Sequence, residues 1–168
     1  MVATTVSVRT YAHAVTHVTE NILRSFKDII RQIGLSPGDL TEDYATYERA
    51  IRTWIESEHL ERVVLEIFEP KTSALVSRWD VTVSYEWSDG DGAFWVDTDA
   101  IRYAIQKAGQ VPTACSYRIV IKNKPGRPDV SGWSSTTFRS TSGFVEQRIG
   151  TTVNASGLGG GISYYRKV

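Results

Sequence analysis

Between residues 13 and 33 apolar side chains return every third or fourth position, at Val15, Val18, Ile22, Phe26, Ile29 and Ile33, and Leu23 and Ile30 widen the stripe. This spacing predicts a long helix with one face in the core, and Gly34 is placed to stop it. After the turn LSPGDLTED, with Thr41 as N-cap, residues Tyr44, Tyr47, Ile51, Trp54 and Ile55 predict a second amphipathic helix ending near His59. The period then falls to two. Val63, Leu65 and Ile67 alternate with more polar neighbours up to Pro70, and PKTS makes a turn. Trp79, Val81, Val83, Tyr85 and Trp87 then alternate with Arg78, Asp80, Thr82, Ser84 and Glu86, so the two runs predict an antiparallel hairpin with one wet face.

The acidic stretch WSDGDGAFWVDTDA connects this hairpin to a third helix. Ser88 to Gly92 form a glycine-tolerant loop, Phe94 and Trp95 pack as the chain returns, and Asp97 or Thr98 caps a helix carrying Ile101, Ala104, Ile105 and Ala108. Gly109 is placed to close it. SYRIVIKNK predicts a further strand with Tyr117, Ile119 and Ile121 on one face, broken by PGRPD. From Val130 onward the chain is rich in Ser, Thr and Gly, with strand-like pieces at FVEQRIGTTV and ISYYRKV joined by NASGLGGG. Such a tail takes its conformation from what it lies against.

A chain of 168 residues fits one domain able to bury a sizeable core. Its 19 basic residues balance 19 acidic ones, which argues against a net field for nucleic acid or an anionic membrane. One cysteine, Cys115, excludes an internal disulfide framework. The N-terminal stretch lacks a signal-peptide pattern and no apolar run is long enough to span a bilayer, so a soluble cytoplasmic protein is expected.

Candidate chemistry is sparse. Counted from Asp89, an EF-hand pattern fails at Ala93, Phe94 and Ala100, where an oxygen ligand, a glycine and a glutamate are needed. His13 and His17 stand four apart, the spacing of a helical zinc pair, with Glu20 one turn on; Ala14 occupies the place of a zinc protease's catalytic glutamate. Surface or partly buried histidine is the simpler reading, and a small metal-binding protein or enzyme using His13 and His17 is the alternative. Cys115 reads as a small core residue. The glycines from Gly157 to Gly161 lack GxGxxG spacing and read as a flexible loop. With no nucleophile elbow, Walker motif or paired-carboxylate signature, no catalytic residue, metal or cofactor is assigned and an enzyme is not expected.

The order of pieces, together with YAHAVTHVTENILRSFKDII, RWDVTVSYEWSDGDGAFWVDTDAIRYAIQKAG, KPGRPDVSGW and FRSTSGFVEQRIGTTV, resembles the HORMA proteins of bacterial CBASS anti-phage operons over nearly the whole chain. The resemblance implies an α+β fold: three helices on one face of a mainly antiparallel sheet, residues 1–168 as a single domain, a flexible segment at 1–10 and a mobile C-terminal safety belt at about 131–168. It implies a signalling adaptor that binds a closure-motif peptide, switches between open and closed states, and binds and activates a cGAS/DncV-like nucleotidyltransferase. An AAA+ remodelling ATPase would open it by its N-terminal segment, and a second HORMA protein is a further possible partner. On this chain the implied peptide-binding residues are Arg102, Tyr103, Gln106 and Lys107 on the third helix, Tyr117, Ile119 and Ile121 on the strand, and Trp133, Tyr164 and Tyr165 in the belt. The implied handle for the remodeller includes Val2, Thr4, Thr5, Val6 and Ser7. A HORMA-like scaffold that does not switch is the remaining alternative.

Overall fold

The computed structural model describes residues 10–87 and 94–168. The first helix, α1 (Tyr11–Gln32), begins two residues before the apolar stripe suggests, because Thr10 caps it: its hydroxyl accepts from the His13 backbone N–H while His13 Nδ1 accepts from that of Thr10, both at 3.3 Å. Every residue of its predicted stripe is fully or almost fully buried. Each such Ile, Leu or Phe side chain is worth about 1.5–3 kcal/mol of transfer free energy, which makes α1 the centre of the core.

The second helical region divides. A five-residue turn, α2 (Gly38–Glu42), precedes α3 (Tyr44–Glu56). Thr41 is therefore not an N-cap; it lies in the last turn of α2, where its hydroxyl donates to the Pro37 carbonyl at 3.0 Å. The strands β1 (Leu60–Phe68) and β2 (Leu75–Tyr85) pair antiparallel with Leu65 opposite Trp79 and Val63 opposite Val81, in the expected hairpin.

The loop at Ser88 to Gly92, with Asp89 and Asp91, lies outside the described residues, as do Val2, Thr4, Thr5, Val6 and Ser7. Beyond the loop, Phe94 and Trp95 do more than pack on the return: they form a short strand, β3 (Phe94–Val96). Asp97 then caps α4 (Thr98–Ala108), accepting from the Ala100 N–H at 3.0 Å, and Gly109 ends it at φ 78°. The chain continues through β4 (Ser116–Asn123), β5 (Phe144–Ala155) and β6 (Leu158–Lys167).

All six strands form one antiparallel sheet in the order β3-β5-β6-β2-β1-β4. The three long helices pack against one face, where Val63, Leu65, Ile67, Trp79, Val81, Ile162 and Tyr164 join the core. The opposite face carries a polar row that includes Glu66, Arg78 and Asp80, all buried.

The tail departs most from its sequence reading. The glycines from Gly159 to Gly161 are not a flexible loop but part of β6, paired to both β2 and β5. A Cβ on Gly160 would stand 2.9 Å from side-chain carbons of both Val153 and Val81, and one on Gly157 would collide with the Glu86 carbonyl oxygen. Here glycine serves close packing of strand on strand. Ser156 and Gly157, both at positive φ, make the two-residue hairpin turn between β5 and β6. No helix among the described residues is long and apolar enough to cross a membrane.

Candidate functional site

The sheet order leaves β4 at an edge, bonded to β1 on one side and, among the described residues, to no strand on the other. Every second residue of such an edge presents a backbone N–H and C=O outward. Residues 124–143, which join β4 to β5, pass around this edge from the helical side of the sheet to its outer side.

On the helical side this connection is held to α3. Lys124 N–H donates to the His59 carbonyl at 2.6 Å, and the Trp54 indole donates to that of Pro128 at 2.7 Å. The Trp133 ring meets Tyr47 and Trp54 edge-on, with centroids 5.9 and 5.5 Å apart, and its indole N–H reaches the Thr46 carbonyl at 3.4 Å. Tyr47 and Trp54 stand seven residues apart on α3 and so share a face. Arg127 lies over the Trp54 ring at 4.8 Å.

On the outer side the connection is held by charge. Glu66, fully buried, accepts from Arg118 Nε at 2.6 Å, from the Arg139 backbone N–H at 2.7 Å and from Arg139 Nη1 at 2.9 Å. Arg118 also donates to the Thr136 hydroxyl and the Thr137 carbonyl, and Arg139 to the carbonyl and hydroxyl oxygens of Ser73. The Arg139 guanidinium lies 3.5 Å from the Phe68 ring centroid, and that of Arg78 lies 4.6 Å from Phe138. Burial works against the charge on Arg78, but its two hydrogen bonds to Asp80 and the charge of Asp80 outweigh it and raise its pKa. A buried carboxylate with this many donors is satisfied, and loss of either side of the network would leave charge uncompensated.

Between connection and edge lies an open groove of about 890 Å³. Its walls include Asp43 just before α3, Tyr47 and Trp54 from α3, Arg118 to Ile121 and Asn123 from β4, and Lys124 to Arg127 and Gly132 to Thr136 from the connection. Burial, and then the charge of Asp43, raise the Tyr47 pKa, so its phenol stays protonated through the neutral range. The arrangement can bind an extended chain; among the described residues no group of three or more His, Cys, Asp or Glu side chains is placed to hold a metal ion.

Of the residues singled out in the sequence, Ile119, Ile121 and Trp133 meet at this groove. Tyr117, on the same strand, does not line it: its hydroxyl donates to the Ser36 carbonyl at 2.9 Å and accepts from the Leu40 N–H, tying β4 to the turn before α3. Arg102, Tyr103, Gln106 and Lys107 are exposed on α4, which packs against α1 and β5. Since three strands separate β5 from β4 in the sheet, those four residues are not brought to the groove. Tyr164 and Tyr165 also lie elsewhere, on opposite faces of β6. Tyr164 stacks on Trp79 at 4.9 Å in the core, and Tyr165 covers Arg78 and donates to Glu146 at 2.8 Å. His13 serves the α1 cap, while His17 contacts the Trp95 carbonyl and Asn21 and leans on Phe94. Burial, then the charge of Glu69, push the Cys115 thiol up, away from a reactive thiolate.

The sequence reading missed the contribution of α3 to the groove and the whole network around Glu66. A carboxylate inside the apolar run VVLEIF was the available signal, since an unpaired charge is almost never buried there.

Solved structures share this architecture at low sequence identity. HTP-2 of C. elegans bound to the HIM-3 closure motif superposes with a TM-score of 0.72 at 13% identity, covering 95% of this chain and 93% of that one. A chain of the mitotic checkpoint complex gives 0.66 at 12% identity, covering 89% and 98%. The E. coli MS115-1 complex of CdnC with HORMA-deltaN gives 0.54 at 9% identity, covering 98% and 94%. No curated protein matches the sequence. At these identities the likeness shows the fold, a HORMA α+β architecture, while the model of bacterial HORMA domain 2 matches residues 3–168 directly. The chain therefore belongs to the bacterial HORMA domain 2 family.

Proposed function

We propose that this HORMA protein is a peptide-capturing signalling adaptor, and that residues 131–168 act as the safety belt of a closed state. The observation that carries the reading is the passage of the connection around a strand edge that is unpaired among the described residues, leaving a groove walled by Ile119, Ile121, Tyr47 and Trp133. A segment entering it would add a strand to β4, with main-chain hydrogen bonds supplying affinity and the side walls selectivity. HTP-2 is seen bound to closure motifs, and a HORMA chain is seen with CdnC, which supports both a peptide and a cGAS/DncV-like nucleotidyltransferase as partners. In this reading the closed, peptide-bound form binds and activates that enzyme, and the chain itself is not catalytic. An AAA+ ATPase would reset it through residues 1–10, and its setting would be the cytoplasm.

The test is reconstitution with a cGAS/DncV-like nucleotidyltransferase from the same organism, with cyclic-nucleotide synthesis read with and without this protein and a captured peptide. Rising synthesis is expected, together with its loss when Trp133 is replaced by alanine or Tyr164 to Val168 are removed. Synthesis that is the same with or without the protein would sink the reading.

A further inference from the structure

The charges around the groove are unequally distributed along it. Tyr117 ties the start of β4 to the turn before α3, and Lys124, just past its end, bonds to His59, just past the end of α3. Strand and helix therefore run in the same direction along the groove. At the starting end Asp43 faces the groove, and Arg118 is already engaged by Glu66. At the far end stand Lys124 and Arg127. Lys124 is exposed and lies over the ring of Tyr85 at 5.2 Å, with no carboxylate partner among the described residues. Arg127 has one acidic neighbour, Asp129, at 3.7 Å, whose side chain is fully exposed, so that ion pair is weak. Asn123, the last residue of β4 and next to Lys124, holds a buried side-chain oxygen with no hydrogen-bond partner among the described residues. The middle of the groove is apolar and aromatic, with Ile119, Ile121, Tyr47 and Trp133.

From this distribution we infer that the groove selects an extended peptide with a short apolar core and carboxylates at the end that meets Lys124 and Arg127. The inference rests on the peptide-capturing role proposed above and adds the chemistry of the peptide. Main-chain pairing to β4 is indifferent to sequence, so discrimination falls to the walls. Aromatic walls favour an aliphatic or aromatic anchor, and two cations with little acidic compensation favour negative charge and disfavour positive charge at one end.

The experiment uses the full chain and fluorescein-labelled ten-residue peptides sharing one valine/isoleucine core, read by fluorescence anisotropy. The core is flanked by two Asp, two Ser or two Lys, on its N-terminal side in one series and on its C-terminal side in the other. In one series the Asp peptide is expected to bind on the order of tenfold more tightly than the Ser peptide and the Lys peptide more weakly still. The gap should narrow as salt rises, because these cations are near the surface. Lys124→Glu, a change at an exposed position, should erase or invert the order without lowering the melting temperature, and Lys124→Glu with Arg127→Glu should invert it. Equal binding of Asp, Ser and Lys peptides, or an order unaffected by either variant, overturns the charge selectivity and leaves peptide capture standing. Failure of every peptide to bind overturns both. Concentration-dependent self-association abolished by Lys124→Glu would assign the groove to a second copy of the chain and overturn the inference as well.

Discussion

The two faces of the sheet are held by different physics. The inner face is covered by α1, α3 and α4 through apolar side chains that are almost wholly buried, and this attraction is non-directional and survives small shifts of geometry. The outer face is crossed by residues around Phe138 and Arg139, held by hydrogen bonds and ion pairs to Glu66 and Arg118 with few apolar contacts. Such contacts are directional and lose their value together once the geometry is lost. A core built the first way tolerates small adjustments of its side chains. A strap built the second way can be released as a unit, since its polar groups regain water when they leave.

Phe26→Ala tests the inner face. It should cost about 3–5 kcal/mol and lower the melting temperature by on the order of 10 °C, with a single cooperative transition in calorimetry. Glu66→Ala tests the outer one. Removing the carboxylate leaves Arg118 and Arg139 without their buried partner, for a loss of about 3 kcal/mol. That loss should appear as proteolytic cleavage and faster hydrogen exchange within residues 124–143 while α1 stays protected; if α1 loses protection equally, the contrast between the faces is wrong.

Gly160→Val sharpens the comparison, because β6 belongs to the tail yet packs like core. Added atoms would collide with Val81 and Val153, and about 1–3 kcal/mol of strain should separate β5 and β6 from β2, seen as lost exchange protection in both strands. Trp133→Ala should weaken captured peptide by roughly tenfold or more, in the range of an aromatic binding anchor, with a smaller effect on the melting temperature.

The smallest effect is one of pH. The Tyr165 hydroxyl, and secondarily Arg148, hold the Glu146 carboxyl below its ordinary range against the opposing influence of burial. A depressed carboxylate contributes its stability above its unfolded pKa and loses it as pH falls through the folded one. Exchange protection of the β5–β6 pairing should therefore decline at acid pH below the normal glutamate range, and Glu146→Gln should remove that component.

Much of the layout was legible in advance. The stripe from Val15 to Ile33, the alternation around Trp79 and the capping Asp97 each predict local structure because period and cap chemistry act over a few residues. The groove is half legible: the sequence points to Ile119, Ile121 and Trp133, whereas Tyr47 and Trp54 read as ordinary core residues of an amphipathic helix. Arg102, Tyr103, Gln106 and Lys107 lie off the apolar stripe of α4 and stand away from this groove. A stripe shows which side of a helix is wet, without showing what stands opposite.

By itself, then, the sequence determined the helices, the central hairpin, the strand from Tyr117 to Ile121 and the family resemblance, all carried by patterns along the chain. The tertiary structure alone decided that the glycine run is a packed strand, that Glu66 is the hub of a strap, and that β4 lies at an edge of the sheet. Those outcomes depend on partners distant in sequence: Gly160 is needed because of Val81, and Glu66 is tolerated because Arg139 arrives 73 residues later. Local periodicity holds no record of which distant segment will be the neighbour, and in a sheet whose strands pair out of sequence order that neighbour sets the meaning of each residue.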